Sequence, residues 1–545
     1  MKKFIFFLLV SIFSFIGCKP QEIKQQKPKL VIGLVIDQMR YDYLTRFSDR
    51  YGENGFKRLL KKGFSIESAY YNYIPTYTAV GHASIYTGTT PDNHGIISNN
   101  WYDKFLKKSI YCVDDNNYKT VGNSGDRGRK SPFRMHTTTV TDQLHLAQNM
   151  NGKTIGIAIK DRSAILPAGH TANGAYWFDG GKNGQWISST FYMDSLPKWV
   201  IDFNNSGKAN GYLENPWNTL YDINTYTNSI IDDNVFEGKF KGETTTSFPH
   251  NIPNLRAKNG DFDILKGIPS GNSFTADFTK AAIIGEKLGK GKFTDFLTVS
   301  FSSTDYIGHQ FGPASKEIED TYLRLDKDLA DLLAFLDKQI GQNNYTVFLT
   351  ADHAAVDVPA YLQSLKIPAH YFDVKKFRQN VLAITKKYFN SIELIENISN
   401  YQIFLDKQKI ESLGLDKNTV AEKLVEEVIT LEGIYKAVTA KTLQTSRFPD
   451  GIMNSLQNGY NQKFSGDVML IPYPATLTRG RTGTSHGSGY SYDTHIPMIF
   501  YGNGIKKGIS KKRYEIIDIA PTIANLLKIE DPNSSTGKII DEALK

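Results

Sequence analysis

The chain has 545 residues, of which 40% are hydrophobic and 12% aromatic, and carries a formal charge of +8. That apolar content supplies a large buried core and excludes a disordered or fibrous protein. The cationic excess is small for the length, and no Lys/Arg cluster interleaved with aromatics occurs, so nucleic-acid binding is not expected while small anionic substrates suit the chain.

At the N-terminus, Met1-Lys2-Lys3 precedes an apolar run from Phe4 to Ile16 and then Gly17-Cys18. Charged region, apolar region and small-residue cleavage point together read as an export signal over residues 1–18, and a periplasmic or otherwise exported location is expected. The run is too short to span a bilayer, and no later stretch reaches the roughly 20 apolar residues a spanning helix requires. Phe15-Ile16-Gly17-Cys18 also resembles the lipobox of bacterial lipoproteins, without its usual leucine. Two outcomes stay open: a lipid anchor through Cys18, with the lysine-rich stretch from Gln21 to Lys29 as a tether, or ordinary cleavage nearby. Cys112 is the other cysteine, so no internal disulfide is expected and stability has to come from the core.

Lys29–Ile36 is a continuous apolar run ending at Asp37, the pattern of a strand buried on both faces. Similar runs follow: Thr154–Ile159 ending at Lys160, Phe296–Phe301 before Asp305, Tyr345–Thr350 before Asp352-His353, and Ile496–Tyr501. Helical patterns fall at Gly55–Lys62, Thr139–Asn149, Ala276–Leu288, Ile318–Leu336 and Ile516–Leu527. The alternation predicts an α/β fold, a three-layer α/β/α sandwich with a mostly parallel central sheet, whose ligands bind beyond the carboxyl ends of the strands. One catalytic domain is expected over residues 28–545. Two stretches break the rhythm and are read as inserted rim or cap segments: about 165–285, rich in Gly, Asn, Tyr and Trp, and about 360–480, with a small αβ pattern of its own. A monomer is expected.

The polar residues sit at those strand ends. Asp305 and His309, four apart on a helical turn, point the same way, and Asp352-His353 lie side by side where a strand gives way to a loop. Mixed oxygen and nitrogen donors suit zinc, with manganese also compatible. Each pair alone is more often a surface pair than a ligand; several at strand ends outweigh that reading. The stretch from Ile74 to Ser84 reads as a turn entering a helix, placing Thr78 at a helix N-terminus where free amides favour a phosphate-like anion. Simple capping is the bland alternative. Lys160 and Arg162, two apart at a strand end, are read as sharing a face and able to reach phosphoryl oxygens; a solvated strand end is their bland reading. His82 and His94 are read as structural, and His136, His145, His170, His250, His370 and His495 as lacking ligand-like company.

The set Asp37, Pro75-Thr76-Tyr77-Thr78, Thr87-Gly88-Thr89-Thr90-Pro91-Asp92-Asn93-His94-Gly95, Asp305 with His309, Asp352-His353 and the late His486 resembles the alkaline phosphatase superfamily over nearly the whole mature chain. Within it, Asn99 and Lys160-Asp161-Arg162 resemble the phosphate-irrepressible, PafA-type alkaline phosphatases. The resemblance implies two zinc ions per chain. Asp305, His309 and His486 would hold one, and Asp37, Asp352 and His353 the other, joined by Thr78 as nucleophile. Asn99, Lys160 and Arg162 would bind the phosphoryl group. His486 is chosen because the family pattern needs a late histidine; its spacing does not select it. Ala354 stands where many relatives have glycine, which puts the turn after His353 in question. The implied function is an exported zinc-dependent phosphomonoesterase acting on small phosphorylated organic substrates through a phosphothreonine. A phosphodiesterase of the nucleotide pyrophosphatase type is the nearest alternative, and an inactive exported binding protein the alternative from another class. A sulfatase lacks its Cys/Ser-x-Pro-x-Arg context, since Cys112 is followed by Val-Asp-Asp, and a phosphomutase is disfavoured by the export signal.

Overall fold

A computed structural model describes residues 27–478 and 480–545. The expected export signal, Cys18 and most of the expected tether lie outside the described residues. Ten strands form the main sheet: β1 Leu30–Ile36, β2 Phe64–Tyr70, β3 Thr120–Val121, β4 Thr154–Ala158, β5 Gly174–Asp179, β6 Gln185–Ser189, β7 Asp295–Phe301, β8 Tyr345–Thr350, β9 Met498–Gly502 and β10 Gly508–Glu515. Their spatial order is β10-β2-β9-β8-β1-β7-β4-β5-β6-β3. The centre, β8-β1-β7-β4-β5, is parallel throughout. Every residue of β1, β4, β7 and β8 is buried, which is why these strands read as unbroken apolar runs.

Helices cover the sheet, among them α1 Thr78–Thr87, α2 Asp161–Ala168, α3 Ser270–Gly285, α4 Ser303–Phe311 and α5 Lys316–Gln339. Helix α5 is started by the Ser315 side chain, which accepts from Ile318 N–H, and buries Leu325, Leu329, Leu332, Leu333 and Leu336 along its inner stripe. The expected elements are present with ends shifted by a few residues.

One of the two inserted-segment readings changes. The stretch 165–285 contributes β5, β6 and α3 to the sandwich itself, because Tyr176, Phe178, Trp186, Phe274 and Phe278 pack into the main core. The stretch 360–480 instead builds a separate four-stranded sheet in the order Ile395–Ser399, Gln402–Leu405, Val468–Pro472, Ile434–Thr439, with its own core beneath helices Val374–Phe389 and Lys417–Val428. The tip of its first hairpin, Asn400-Tyr401, takes left-handed backbone angles at both positions, as a tight hairpin turn demands. Asn400 Nδ2 donates to the Asn100 carbonyl at 2.8 Å, so this sheet leans on the main domain beside Asn99.

Candidate active site

The parallel strands deliver their polar residues to one edge. Asp37 follows β1, Asp305 and His309 ride on α4 just after β7, and Asp352-His353 follow β8. Since β1 pairs with both β7 and β8, three segments far apart in sequence must end side by side. His486 arrives on a loop, its ring stacked on His353 with centroids 3.4 Å apart. Two sets of three ligand-type atoms each fall within 4.8 Å of one another: Asp305, His353, His486 and Asp37, Asp352, His353.

The protonation pattern shows what this edge is suited to hold. His309 Nδ1 lies 2.8 Å from the Thr484 carbonyl, His486 Nδ1 2.7 Å from that of Thr76, and His353 Nδ1 3.1 Å from that of Ala354. A carbonyl only accepts, so each Nδ1 carries a hydrogen. The Nε2 atoms face carboxylate oxygens: His309 Nε2 is 3.2 Å and His486 Nε2 3.6 Å from Asp305 Oδ1, and His353 Nε2 is 3.5 Å from Asp37 Oδ1. Burial drives the His486 pKa down to about 3 and that of His353 well below the usual imidazole value, so both rings are neutral. Asp37 Oδ1 and Asp352 Oδ2 are fully buried without a hydrogen-bond partner. Lone pair against carboxylate, with orphaned oxygens alongside, is an arrangement that divalent cations satisfy, and the mixed N/O donor set fits them.

The carboxylates differ sharply among themselves. Burial raises the Asp37 pKa to about 6, with Lys160 opposing it. Burial and the neighbouring Asp37 push Asp352 well above the usual range. Burial pulls Asp305 the same way, yet His309, Lys160 and His486 hold it well below that range. The Lys160 ammonium sits 2.6 Å from both Asp37 Oδ2 and Asp305 Oδ2, an internal cation between the two ligand sets.

Thr78 is the first residue of α1, and Tyr77 in extended conformation is its cap, so Thr78 does not do the capping. Its Oγ1 lies 3.4 Å from His353 Nε2. The helix comes this close because Gly81 has no side chain; a Cβ there would stand 2.2 Å from the Asp352 carbonyl oxygen. His82, neutral through burial, lies 2.8 Å from the Thr78 carbonyl and 3.0 Å from Ser300 Oγ, a structural role. Ala354 donates its N–H to the Asp493 carbonyl at 2.9 Å and has no left-handed backbone angle, so alanine is unstrained after His353.

Residues 31–493 match the profile of the type I phosphodiesterase/nucleotide pyrophosphatase family. This chain belongs to that family, within the alkaline phosphatase superfamily. Among the family's members, alkaline phosphatase PhoV of Synechococcus elongatus is 48% identical, covering 95% of this chain and 93% of its own. Alkaline phosphatase PafA of Elizabethkingia meningoseptica is 43% identical over 95% of each chain. A Myroides odoratus protein named a calcium-transporting ATPase is 47% identical over 96% of each. The crystal structure of wild-type PafA superposes with a TM-score of 0.91 at 43% identity, covering 95% of this chain and 99% of that one. That match agrees with the expected α/β class with a mostly parallel sheet.

The three residues expected to contact a phosphoryl group take the following places. Asn99 Oδ1 accepts from Ala79 N–H at 2.9 Å, which commits its carbonyl and leaves the amide nitrogen to donate. Lys160 and Arg162 do not share a strand face: β4 stops at Ala158, Lys160 caps α2 and Arg162 lies in its first turn. Consequently Lys160 turns to the carboxylates while Arg162 Nη1 donates to Tyr111 Oη at 3.0 Å, its Nε buried and unpartnered.

Three positioning residues were not legible in the sequence. Gln38, with left-handed φ of 63°, donates its N–H to Asp352 Oδ1 at 3.2 Å and its amide to Asp305 Oδ1 at 2.6 Å, tying both ligand sets together. Asp493 Oδ2 accepts from Gly487 N–H, Ser488 N–H and Ser488 Oγ at 3.1, 2.8 and 2.6 Å, fixing the His486 loop. Thr304 Oγ1 donates to the Asp37 carbonyl at 2.5 Å. His250 also departs from its reading: it has two carboxylate neighbours, Glu243 and Glu317.

Proposed function

We propose that this chain is an exported, zinc-dependent alkaline phosphatase that hydrolyses small organic phosphate monoesters through a phosphothreonine at Thr78. The carrying observation is the Thr78 hydroxyl at a helix N-terminus, 3.4 Å from Nε2 of His353, the residue that belongs to both sets of ligand atoms. The alkaline phosphatase relatives PhoV and PafA, similar over nearly the full length, support the same reading.

Two zinc ions are proposed, one held by Asp305, His309 and His486 and the other by Asp37, Asp352, His353 and Thr78. When bound, such a pair neutralises the carboxylates, acidifies the alcohol and stabilises charge on the entering and leaving oxygens. Thr78 Oγ then attacks phosphorus in line, the bond to the leaving alkoxide breaks, and the alcohol departs after taking a proton. Water cleaves the phosphothreonine, regenerating Thr78 and releasing inorganic phosphate.

Asn99 and Arg162 donate to the nonbridging oxygens, and Lys160 brings an ammonium to the seam between the ligand sets. These groups favour a dianionic monoester over a monoanionic diester, because the former concentrates more charge on those oxygens. The segment at about 360–480 acts as a cap. The cleft it forms, lined by Tyr77, Asn400, Tyr401 and His486, gives the leaving group room. The N-terminal signal supports export, with lipid attachment at Cys18 and ordinary cleavage nearby as its two outcomes; among the described residues no helix is long and apolar enough to cross a membrane.

A substrate panel run on metal-depleted protein, with zinc added back, tests the reading. Zinc-restored turnover of aryl monoesters well above that of the matching diester is expected. Equal or greater diester turnover overturns it in favour of a phosphodiesterase.

A further inference from the structure

Beside Asn99 and Arg162 stands a short antiparallel hairpin, Asn100–Asp103 with Lys108–Tyr111. Asn100 pairs with Tyr111 at its base, and Cys112 N–H donates to the Asn99 carbonyl at 3.0 Å, so Asn99 and Tyr111 leave the hairpin side by side. Trp101, Ile110 and Cys112 share one apolar cluster with Ala79 and Ala83 of α1 and with Ala164, Ile165 and Leu166 of α2. The helices that carry Thr78 and Arg162 are thereby packed against the same hairpin.

Arg162 is tied to this hairpin by a closed ring of hydrogen bonds. Its Nη1 donates to Tyr111 Oη at 3.0 Å, Tyr111 Oη donates to Asp161 Oδ1, and the same carboxylate oxygen accepts from Arg162 N–H at 2.6 Å. The direction is forced. A carboxylate accepts and a guanidinium only donates, so the hydroxyl hydrogen goes to Asp161 and an oxygen lone pair faces Arg162. Burial, against the pull of Arg162, lifts the Tyr111 pKa well above the usual phenol value, so the hydroxyl keeps its hydrogen under alkaline conditions. Lys130 Nζ stands 4.6 Å from the centroid of the Tyr111 ring and 3.6 Å from Asp161 Oδ2, steadying both.

The guanidinium is therefore oriented by a carboxylate that it does not itself pair with. Among the described residues it forms no ion pair, its one hydrogen bond goes to the tyrosine, and Nε is buried without a partner. Direct pairing with Asp161 would compensate the charge that a phosphoryl dianion needs. An interposed neutral hydroxyl fixes the plane of the group and leaves that charge available. We infer that Tyr111 is a positioning residue, whose hydroxyl holds the Arg162 guanidinium ready for the nonbridging oxygens of a phosphate monoester. Tyr111 acts through Arg162, so the inference rests on the role proposed above for that arginine.

The test compares zinc-loaded full-length Tyr111→Phe, Arg162→Ala and the double variant with wild type, on an aryl monoester and the matching diester. Phenylalanine keeps the ring beside Lys130 and removes only the hydroxyl. Tyr111→Phe should lower kcat/KM for the monoester about tenfold and for the diester less than about threefold, with metal content and thermal midpoint unchanged. In the Arg162→Ala background the same substitution should change monoester kcat/KM by less than about twofold. Losses that multiply in the double variant overturn the inference, because Tyr111 would then act independently of Arg162. An equal loss on both esters overturns it as well. Slowed monoester turnover in Arg162→Ala beside wild-type turnover in Tyr111→Phe overturns the inference alone. Wild-type monoester turnover in Arg162→Ala removes the proposed role of the arginine, and the inference with it.

Discussion

His486 and His250 are both buried against carboxylates, yet they end in opposite states. The Nδ1–H of His486 is taken by a backbone carbonyl and burial drives its pKa to about 3, so its other nitrogen presents a lone pair. His250 has a glutamate at each nitrogen, so both must donate; although burial opposes the charge, Glu243 and Glu317 lift its pKa to about 9. What one ring nitrogen meets decides whether the imidazole is a metal ligand or a cation. A carbonyl makes a ligand; a second carboxylate makes a counter-ion.

The largest expected effect separates chemistry from ligand geometry. Thr78→Ala should lower kcat by at least about 10³-fold while metal content, read by elemental analysis, stays at the wild-type value; wild-type turnover of aryl phosphates would end the nucleophile assignment. Arg162→Ala should cut kcat/KM for monoesters by about 10²-fold and for diesters by much less, since it removes charge-assisted bonds to a dianion. An equal loss on both substrates would show that Arg162 does not discriminate. Gln38→Ala should weaken zinc binding by about 10- to 100-fold with the fold intact, as measured by competition with a chelator, because it removes the amide bond that orients Asp305 while leaving the backbone bond to Asp352.

The smallest effect concerns the His250 side of the comparison. Its pKa rises from 6.5 to about 9 on folding, so the stability it contributes is fully present below pH 6.5 and is lost as pH rises through about 9. The urea midpoint of His250→Gln should therefore fall below wild type at pH 6 and converge with it by pH 10. A gap that persists at pH 10 would mean that His250 contributes by packing alone.

The same contrast explains what could be read from the sequence. β1, β7 and β8 announced themselves because both faces of each are buried, and Asp37, Asp305 and Asp352 followed as the first acidic residues beyond them. β2 carries Ser65, Glu67 and Ser68 and lies near the sheet edge, so its pattern is broken by half-exposure. β5 and β6 were hidden in a stretch whose Gly, Asn and aromatic content resembles a loop. Gln38 and Asp493 were silent because their role lies in contacts set by the finished fold: Gln38 meets Asp352 across 314 residues. The direction of Lys160 was misread because one residue of strand was counted too many, and a strand end turned into a helix cap.

Lys160 has one more consequence. By spanning Asp37 and Asp305, its side chain lets two acids that would repel each other collapse into place together. The polypeptide thus carries a resident counter-charge between two acids of the site, so that their mutual repulsion is screened from within the fold.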